Sequence, residues 1–161
     1  MSAPIAYVDL TRAIYTAEGF PPYRWVENDT PVPLQPLSKP LSRARVALVA
    51  SGGIYQAGHV AFHFRDDVSF RRIPRDVDRS VLRTAHFAYD QTDARADPGC
   101  VFPIDSLRRL EREGVVGELA PEALTFMGGI YSARRVREEL APSLRAALHD
   151  MRVDAALLVP V

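Results

Sequence analysis

The sequence predicts an α/β protein whose mostly parallel, Rossmann-like sheet carries crossover helices, and two observations predict it. Short apolar runs typical of buried strands alternate with stretches of helical periodicity. Two of these runs, residues 46–50 and 123–127, lead into the same tetrapeptide, Gly-Gly-Ile-Tyr, at residues 52–55 and 128–131. Paired glycines after a strand accept positive φ and let the backbone approach a bound group, so the pattern is typical of a ligand site.

The composition is that of one folded domain and excludes several classes of function. The 161 residues are 47% hydrophobic and 25% charged, and 20 acidic residues balance 20 basic ones. Balanced charge offers no basic surface, so neither nucleic acid nor a membrane is expected as a partner. The single cysteine, Cys100, fits a reducing compartment. Because no signal segment or long apolar run is visible, the expected location is the cytoplasm.

Residues 1–44 are predicted to form a helix and a Pro- and aromatic-rich N-terminal arm, and residues 45–161 to form the α/β domain. The helix is expected over residues 5–18. Prolines between residues 20 and 42 exclude a long helix or a central strand there. The arm either covers its own domain or bridges to another subunit. Its aromatic residues are Tyr7, Tyr15, Phe20, Tyr23 and Trp25.

The elements of the α/β domain are predicted in order from apolar runs and capping residues. A helix is expected over residues 103–113, with proline at its start and Gly114 as its C-cap. Ser132 is expected to cap a later helix, which Pro142 should interrupt. Alternating strands and helices predict parallel pairing with crossover connections. The predicted strands are residues 46–50, 69–73, 81–86, 124–127 and 154–159.

The two glycine turns are the first candidate for a binding site. In open α/β sheets ligands bind beyond the carboxyl ends of the strands, and backbone N–H groups in a glycine turn can hold a carboxylate or phosphate. The alternative is a pair of tight turns without a ligand. No Gly-x-Gly-x-x-Gly is present, so a dinucleotide is not predicted. The residues predicted to bind substrate here are Ser51, Gly52, Gly53, Tyr55, Gly128, Gly129 and Tyr131.

Histidines supply two further candidates. His59 is predicted to line the first glycine turn; with His63 it has the spacing of a helical zinc pair, but no third ligand is nearby and no metal is predicted. His86, Tyr89 and Asp90 combine an imidazole, a phenol and a carboxylate, and are predicted to be catalytic as a general acid/base set. The competing interpretation is a polar loop in which Asp90 satisfies its own backbone.

Several stretches of the chain together resemble one known family. They are residues 21–26, 47–55, 69–76, 86–90, 100–105, 114–117 and 126–139, leading into 154–161. In this order they are similar to the selenoprotein B family of glycine/sarcosine/betaine reductases and D-proline reductase. The resemblance implies reductive cleavage of a C–N or related bond by a selenocysteine or cysteine nucleophile. It also implies electrons from thiols and partner subunits, some of which bear a pyruvoyl group.

The sequence departs from this family at one point. Family members carry their redox loop, with a Cys-x-x-Cys or selenocysteine-x-x-Cys pattern, after the strand that matches residues 155–161. The sequence ends at Val161, and Cys100 matches a cysteine outside that motif, so no residue is expected to inherit the nucleophile's role. A UGA codon read as selenocysteine, a fragment, or a genuine short form would each explain this.

The resemblance implies a reductase subunit that acts on a small amino-acid-like substrate and lacks its own nucleophile. It is expected to hold no cofactor and to receive thiol or selenol electrons from a partner. Either a homo-oligomer or a complex with a partner reductase subunit is expected. The alternative is a non-catalytic binding or assembly protein that keeps the scaffold and the pocket.

Overall fold

A computed structural model describes residues 5–22, 26–33 and 35–161. The chain divides into two units, Met1–Leu34 and Gln35–Val161. Residues 35–44, which the sequence pattern groups with the arm, fall in the second unit. The division of the chain into an arm and an α/β domain stays a prediction. Within the second unit, the ammonium group of Lys39 lies 2.7 Å from the carboxylate of Asp154.

The first unit contains helix α1 (Tyr7–Ala17), close to the predicted bounds. Asp9 lies in its first turn, where a carboxylate favours the helix dipole. After the helix, the rings of Tyr15 and Phe20 pack with their centroids 5.9 Å apart. The arm's other predicted aromatic residues, Tyr23 and Trp25, lie outside the described residues, so the role of the arm stays a prediction.

The second unit contains seven strands in two sheets. The predicted strands are found to within a few residues at each end, and two further short strands, β2 and β5, were not predicted. The strands are β1 (Arg45–Ala50), β2 (Ile54–Gln56), β3 (Phe70–Pro74), β4 (Leu82–Thr84), β5 (Glu118–Leu119), β6 (Glu122–Phe126) and β7 (Ala155–Val159).

Strand β1 lies at the centre of the larger sheet. Val46 pairs with Leu119 of β5 and with Ala155 of β7, so these two strands lie on opposite edges of β1. Val49 pairs with Leu124 of β6 and also with β7, so β5 and β6 share one edge. These pairings are parallel, whereas β3 joins β6 antiparallel. The prediction of an α/β fold with a mostly parallel sheet is confirmed, and the Rossmann-like class stays a prediction.

Helices follow the strands in the second unit. Residues 133–150 form one helical stretch, in which a π-helical turn (Val136–Leu140) is followed by an α-helix whose second residue is Pro142. A π-turn is a common form of helix irregularity, and here it accompanies the interruption predicted at the proline. Within the described ranges, no helix has the length and apolar character needed to cross a membrane. The helices are α2 (Thr92–Ala96), α3 (Ile104–Arg112), α4 (Ala133–Arg135) and α5 (Ala141–Asp150).

The core lies on both faces of β1, because alternate residues of a strand point to opposite faces. Leu48 packs in one cluster with Leu107 of α3. Val49 packs in the other with Ala147 of α5. Both faces of the strand are therefore covered, which explains why its sequence is a continuous apolar run. The buried sheet fixes the carboxyl ends of β1 and β6, and both glycine turns begin there.

Candidate functional site

The first glycine turn leaves β1 and can be built only with glycine at position 53. Gly53 has φ +69°, and a Cβ there would lie 2.1 Å from the carbonyl oxygen of Ala85. The Gly53 N–H donates to the carbonyl oxygen of Phe126 at 3.0 Å, and its own carbonyl accepts from the Ala85 N–H at 2.9 Å. The turn is thus fixed between the end of β6 and the segment that follows β4.

The second glycine turn contacts the first. The Gly128 N–H donates to the Ser51 carbonyl oxygen at 2.8 Å. The Gly129 N–H lies 3.1 Å from the sulfur of Met127. The N–H groups of Gly53, Gly128 and Gly129 are thus engaged within the protein. Such N–H groups were expected from the sequence to bind a carboxylate or phosphate of a ligand. The two turns form one continuous wall at the carboxyl ends of β1 and β6.

Tyr89 supports this wall from the side. Its hydroxyl donates to the Gly52 carbonyl oxygen at 2.9 Å. The hydroxyl of Thr84, at the end of β4, lies 3.2 Å from the same carbonyl and 3.2 Å from the Tyr89 hydroxyl. Strand β4 pairs with β2, which follows the first glycine turn, so this small sheet places the Thr84 hydroxyl beside Gly52, and Tyr89 follows in the segment after β4. In the structure the phenol of Tyr89 therefore holds the turn.

His86 is almost completely buried next to Tyr89, and their ring centroids lie 4.7 Å apart. Its Nδ1 accepts a hydrogen bond from the Ala88 N–H at 3.0 Å, so the neutral ring carries its hydrogen on Nε2. The Nε2 atom is buried without a hydrogen-bond partner among the described residues. Burial lowers the pKa of His86, because it disfavours the charged imidazolium. His86 therefore offers a buried, neutral N–H donor.

Gln91 completes this buried polar pair. Its side-chain amide nitrogen donates to the carbonyl oxygen of His86. Its other side-chain atom, Oε1, is buried and lacks a partner within the described part of the chain. A buried polar atom without a partner costs about 1–3 kcal/mol, so native structures seldom keep one unless a water or ligand satisfies it. A donor on His86 and an acceptor on Gln91 are both left open.

Asp90 forms the polar loop that was the alternative to a catalytic role, because its carboxylate binds the neighbouring backbone. It is exposed, and its Oδ1 accepts from the Thr92 hydroxyl at 2.7 Å and from the Thr92 N–H at 2.9 Å. These hydrogen bonds lower the pKa of Asp90. They form a local turn before α2 and engage the carboxylate there.

A cavity of about 330 Å³ lies beside His86 and Gln91. Its walls are mainly aromatic, and Arg95 contributes a guanidinium to them. The guanidinium of Arg71 lies over the ring of Phe62, 4.4 Å from its centroid, and that of Arg65 lies over the ring of Phe64 at 5.4 Å. One face of each ring is therefore already occupied by a cation. The lining residues used below are Phe62, Phe64, His86, Phe87, Gln91 and Arg95.

The second glycine turn reaches this cavity through one aromatic ring. A Cβ at position 129 would lie 2.4 Å from the ring of Phe87, so the close approach of that ring requires Gly129. The ring of Phe87 also stacks on Tyr131, with centroids 6.1 Å apart. Asp66 fixes the backbone of this turn by accepting from the Tyr131 and Ser132 N–H groups at 2.7 and 3.0 Å.

The remaining predicted residues lie apart from the cavity or at its edge. Tyr55 packs edge-on against Phe62, with centroids 6.4 Å apart. The hydroxyl of Ser51 accepts from the Val161 N–H at 2.9 Å and faces the ends of β1 and β7. His59 is exposed and lies at a different depression, next to Arg71.

No metal centre emerges from the residues that the structure covers, because no three His, Cys, Asp or Glu side chains are grouped to hold an ion. His63, the partner considered for His59, instead accepts from the Arg65 N–H through Nδ1 at 3.1 Å. Cys100 is exposed at the end of a short 3₁₀ turn, Pro98–Cys100.

Sequence reasoning missed Gln91 and Arg95. Both lie in the polar stretch around Asp90, where nothing in spacing distinguishes a cavity-lining residue from a solvated one. Only the buried, unpartnered atoms of His86 and Gln91 separate these positions from their neighbours. Arg95 is recognised by its place in α2, one helical turn after Gln91, where it lines the same cavity.

Comparison with known proteins adds a relationship over most of the chain. Residues 16–161 match the family model described as glycine/sarcosine/betaine reductase selenoprotein B. No solved structure matches the chain significantly.

Curated relatives agree with this match. The chain is 38% identical over 130 residues to D-proline reductase subunit gamma of Acetoanaerobium sticklandii, which covers 80% of the chain and 54% of that protein. It is 36% identical over 135 residues to glycine reductase complex component B subunit gamma of Symbiobacterium thermophilum, covering 79% of the chain and 30% of that protein. It is also 28% identical over 130 residues to betaine reductase complex component B subunit beta of Peptoclostridium acidaminophilum, covering 74% of the chain and 28% of that protein.

The chain thus spans about half the length of the D-proline reductase subunit and about a third of the glycine reductase subunit. The match nevertheless includes both glycine turns, the His86–Gln91 segment and every strand of the sheet. By the extent of this match, the chain belongs to the glycine/sarcosine/betaine reductase selenoprotein B family.

Proposed function

We propose that this chain is a subunit of a multicomponent reductase that reductively cleaves a small amino-acid-like substrate. The observation that carries the proposal is the family match over residues 16–161, which includes the glycine turns and His86. Its relatives are named as components of D-proline, glycine, sarcosine and betaine reductases. In this proposal the chain provides the α/β scaffold and one substrate pocket.

The reaction needs a nucleophile that this sequence does not offer in a suitable place. Reductive cleavage of a C–N bond takes two electrons and gives the nitrogen a proton as it leaves. Cys100 is the single thiol of the chain, and it is exposed outside the cavity beside His86. The proposal therefore assigns the selenocysteine or cysteine nucleophile, and the thiol electrons, to residues or subunits beyond these 161 residues. A selenol is largely ionised at neutral pH, whereas a cysteine with a pKa of about 8.5 is mostly protonated.

The role of this chain's own residues is binding and positioning. His86 lines the pocket as a neutral imidazole, while Tyr89 keeps the first glycine turn in place through the Gly52 carbonyl oxygen. The engaged N–H groups of Gly53 and Gly128 support a role as pocket walls. Because Asp90 is held by Thr92, the proposal gives it no proton to transfer. Ser51, His59 and Tyr131 stay predictions at the edge of this site.

The test is reconstitution of the complex. The full reading frame is co-expressed with its genomic reductase partners, in a host that decodes selenocysteine, and release of amine or ring-opened product is measured with dithiol as reductant. D-proline, glycine, sarcosine and betaine are the four substrates offered. Turnover of at least one, lost in His86→Ala and kept in the surface variant Arg109→Gln, supports the proposal. A complete complex that reduces none of the four overturns it.

A binding or assembly role without catalysis is the second candidate, and the last strand favours it. Strand β7 pairs with β1 along one edge, and its other edge is unpaired in the described part of the chain. Leu158 on this strand is 67% exposed and Leu157 is 42% exposed. Unpaired apolar strand edges bind other chains readily. Light scattering with and without the partner subunits tests this, and a monomer under both conditions would exclude it.

A further inference from the structure

Two neighbouring depressions lie on the surface that β4 and α2 form. One is the cavity beside His86, with a volume of about 330 Å³. The other has a volume of about 340 Å³ and is lined by Tyr55 of β2, Arg83 of β4 and Arg95 of α2. Thr84 and Arg95 line both, so the two depressions share a wall. The residues used here to define this β4–α2 surface are Tyr55, Phe64, Arg83, Phe87 and Arg95.

Two guanidinium groups on the β4–α2 surface have no carboxylate partner. Nη1 of Arg83 donates to the carbonyl oxygens of Ser80 and Leu82 at 2.8 and 2.7 Å, which holds the group in place. Over the ranges that the structure describes, neither Arg83 nor Arg95 forms an ion pair. A guanidinium binds a carboxylate through paired N–H groups, so two open ones at one depression favour an acidic ligand.

Acidic side chains close to this surface bind backbone groups instead of the arginines. Asp90 accepts from the hydroxyl and the N–H of Thr92 at 2.7 and 2.9 Å. Asp66 accepts from the N–H groups of Tyr131 and Ser132 at 2.7 and 3.0 Å. With these carboxylates engaged, an acid that binds the open guanidinium groups has to come from another molecule.

Exposed aromatic rings border the same surface. Phe64 is 60% exposed, Phe87 is 42% exposed and Tyr131 is 69% exposed. Phe64 and Phe87 line the cavity beside His86 together with Arg95, and Tyr131 stacks on Phe87. Aromatic residues and arginine are enriched at protein–protein interfaces, where a few of them provide most of the binding energy. The rings therefore favour a ligand that also has an apolar part.

The chemistry of the surface selects among three kinds of ligand. A small inorganic anion would bind the arginines but leave the rings uncovered. A nucleic acid could contact both, but the chain has 20 acidic and 20 basic residues and therefore lacks the excess positive charge typical of nucleic-acid-binding domains. A protein segment with carboxylates next to an apolar side chain matches both the arginines and the rings.

We propose that the β4–α2 surface docks an acidic segment of a partner protein. Its carboxylates bind Arg83 and Arg95, and an adjacent apolar side chain packs against Phe64 and Phe87. The inference goes beyond the proposed function, because it concerns a protein-binding surface at the rim of the pocket and requires no reductive step.

Peptide probes test the inference without turnover. The probe is acetyl-Glu-Glu-Glu-Leu-Phe-amide, titrated into the ¹⁵N-labelled chain of 161 residues. It is expected to bind about 10-fold more tightly than the same peptide with three glutamines, because charge-assisted hydrogen bonds are the stronger ones. The largest amide shifts should lie in β4 and α2. Affinity should fall as NaCl is raised from about 50 to about 500 mM. A probe that ends in Ser-Ser should bind less tightly, because it leaves Phe64 and Phe87 uncovered.

Variants with matched charge separate a local site from overall electrostatics. Arg83→Gln and Arg95→Gln should each weaken the glutamate peptide about 10-fold and leave the glutamine peptide unchanged. The control combines Arg112→Gln with Arg145→Gln, two exposed arginines that also lack an ion pair within the described part of the chain, and it should change neither affinity. Arg95→Glu should reverse the preference toward acetyl-Lys-Lys-Lys-Leu-Phe-amide. An unchanged melting temperature of this variant shows that the reversal does not come from unfolding.

The outcomes distinguish this inference from its alternatives and from the proposed function. Equal affinity for the glutamate and glutamine peptides, or shifts confined to other elements, overturns the inference. Tighter binding of a short oligothymidylate than of the glutamate peptide overturns it in favour of nucleic acid. Self-association of the wild-type chain that Arg83→Gln abolishes overturns it in favour of a second copy. Selective peptide binding by a chain whose reconstituted complex reduces no substrate overturns the proposed function and leaves this surface standing.

Discussion

The hydroxyl of Tyr89 donates to the carbonyl oxygen of Gly52 at 2.9 Å, which joins the predicted acid/base segment to the first glycine turn. Two features that lie far apart in the sequence thus form one structure. The same carbonyl also accepts from Thr84 at 3.2 Å, so a phenol and a hydroxyl share one acceptor. Tyr89 consequently acts on the shape of the site.

Removing the Tyr89 hydroxyl should destabilise the protein only slightly. Tyr89→Phe loses one hydrogen bond, but Thr84 still satisfies the Gly52 carbonyl, so the free energy of unfolding should fall by about 1 kcal/mol. Thr84→Val should have a similar effect. Because the two hydroxyls share an acceptor, the double variant should lose more than the sum of the single losses. Urea unfolding of the four proteins measures this, and additive losses would contradict the sharing.

Alanine at position 53 should be far more damaging than at a glycine of similar backbone conformation. Gly53 and Gly114 both have positive φ, +69° and +71°. A Cβ at Gly53 would lie 2.1 Å from the Ala85 carbonyl oxygen, whereas one at Gly114 would meet nothing within 4 Å. Gly114→Ala should cost about 1 kcal/mol for the backbone conformation alone. Gly53→Ala should cost several times as much, and comparable melting temperatures would refute the steric argument.

His86 should make stability depend on pH in one direction. Burial lowers the pKa of folded His86 below its ordinary value of 6.5, so the unfolded chain takes up the proton first as the pH falls. Stability from this residue is therefore complete above pH 6.5, declines below it, and levels off under the lowered pKa. His86→Gln should remove this part of the slope below about pH 6.5. Unfolding curves at closely spaced pH values measure the difference, and parallel profiles would exclude it.

The carboxylate of Asp66 should stabilise the second glycine turn through its two backbone hydrogen bonds. Asp66→Ala removes the acceptor for the Tyr131 and Ser132 N–H groups and should lower the free energy of unfolding by about 1–2 kcal/mol. Asp66→Asn keeps an acceptor and tolerates the positive φ of 42°, so its loss should be smaller. Hydrogen exchange at the Tyr131 and Ser132 amides gives a local readout. Faster exchange only in Asp66→Ala is expected, whereas unchanged exchange in both variants would rule out the contact.

The strands and long helices could be predicted because their signals are local. The run at residues 46–50 is apolar throughout since both faces of β1 are covered, and proline and Gly114 mark the ends of α3. The antiparallel direction of β3 has no local signal, because it depends on its pairing with β6. The pairing of β2 with β4 likewise depends on the tertiary structure and has no signal in the local sequence.

The site could be predicted only in outline. A pair of glycines directly after a strand is readable from the sequence, so both turns could be located, although only Gly53 of the four glycines has a left-handed conformation. Which polar groups stay unpartnered is decided by packing: Asp90 satisfies itself with Thr92, while Gln91, one residue later, keeps a buried open acceptor. Composition gives no means to tell these neighbours apart.

The contact between Gly129 and the ring of Phe87 links two positions that are far apart in the chain. A methyl group at position 129 would overlap that ring, so bulk can be placed at one of these two positions but not at both. Relatives with a larger residue at position 129 should therefore have a smaller one at position 87. Such paired changes would alter the width of the pocket while keeping the sheet, and they offer a route by which one scaffold could come to accept ligands of different sizes.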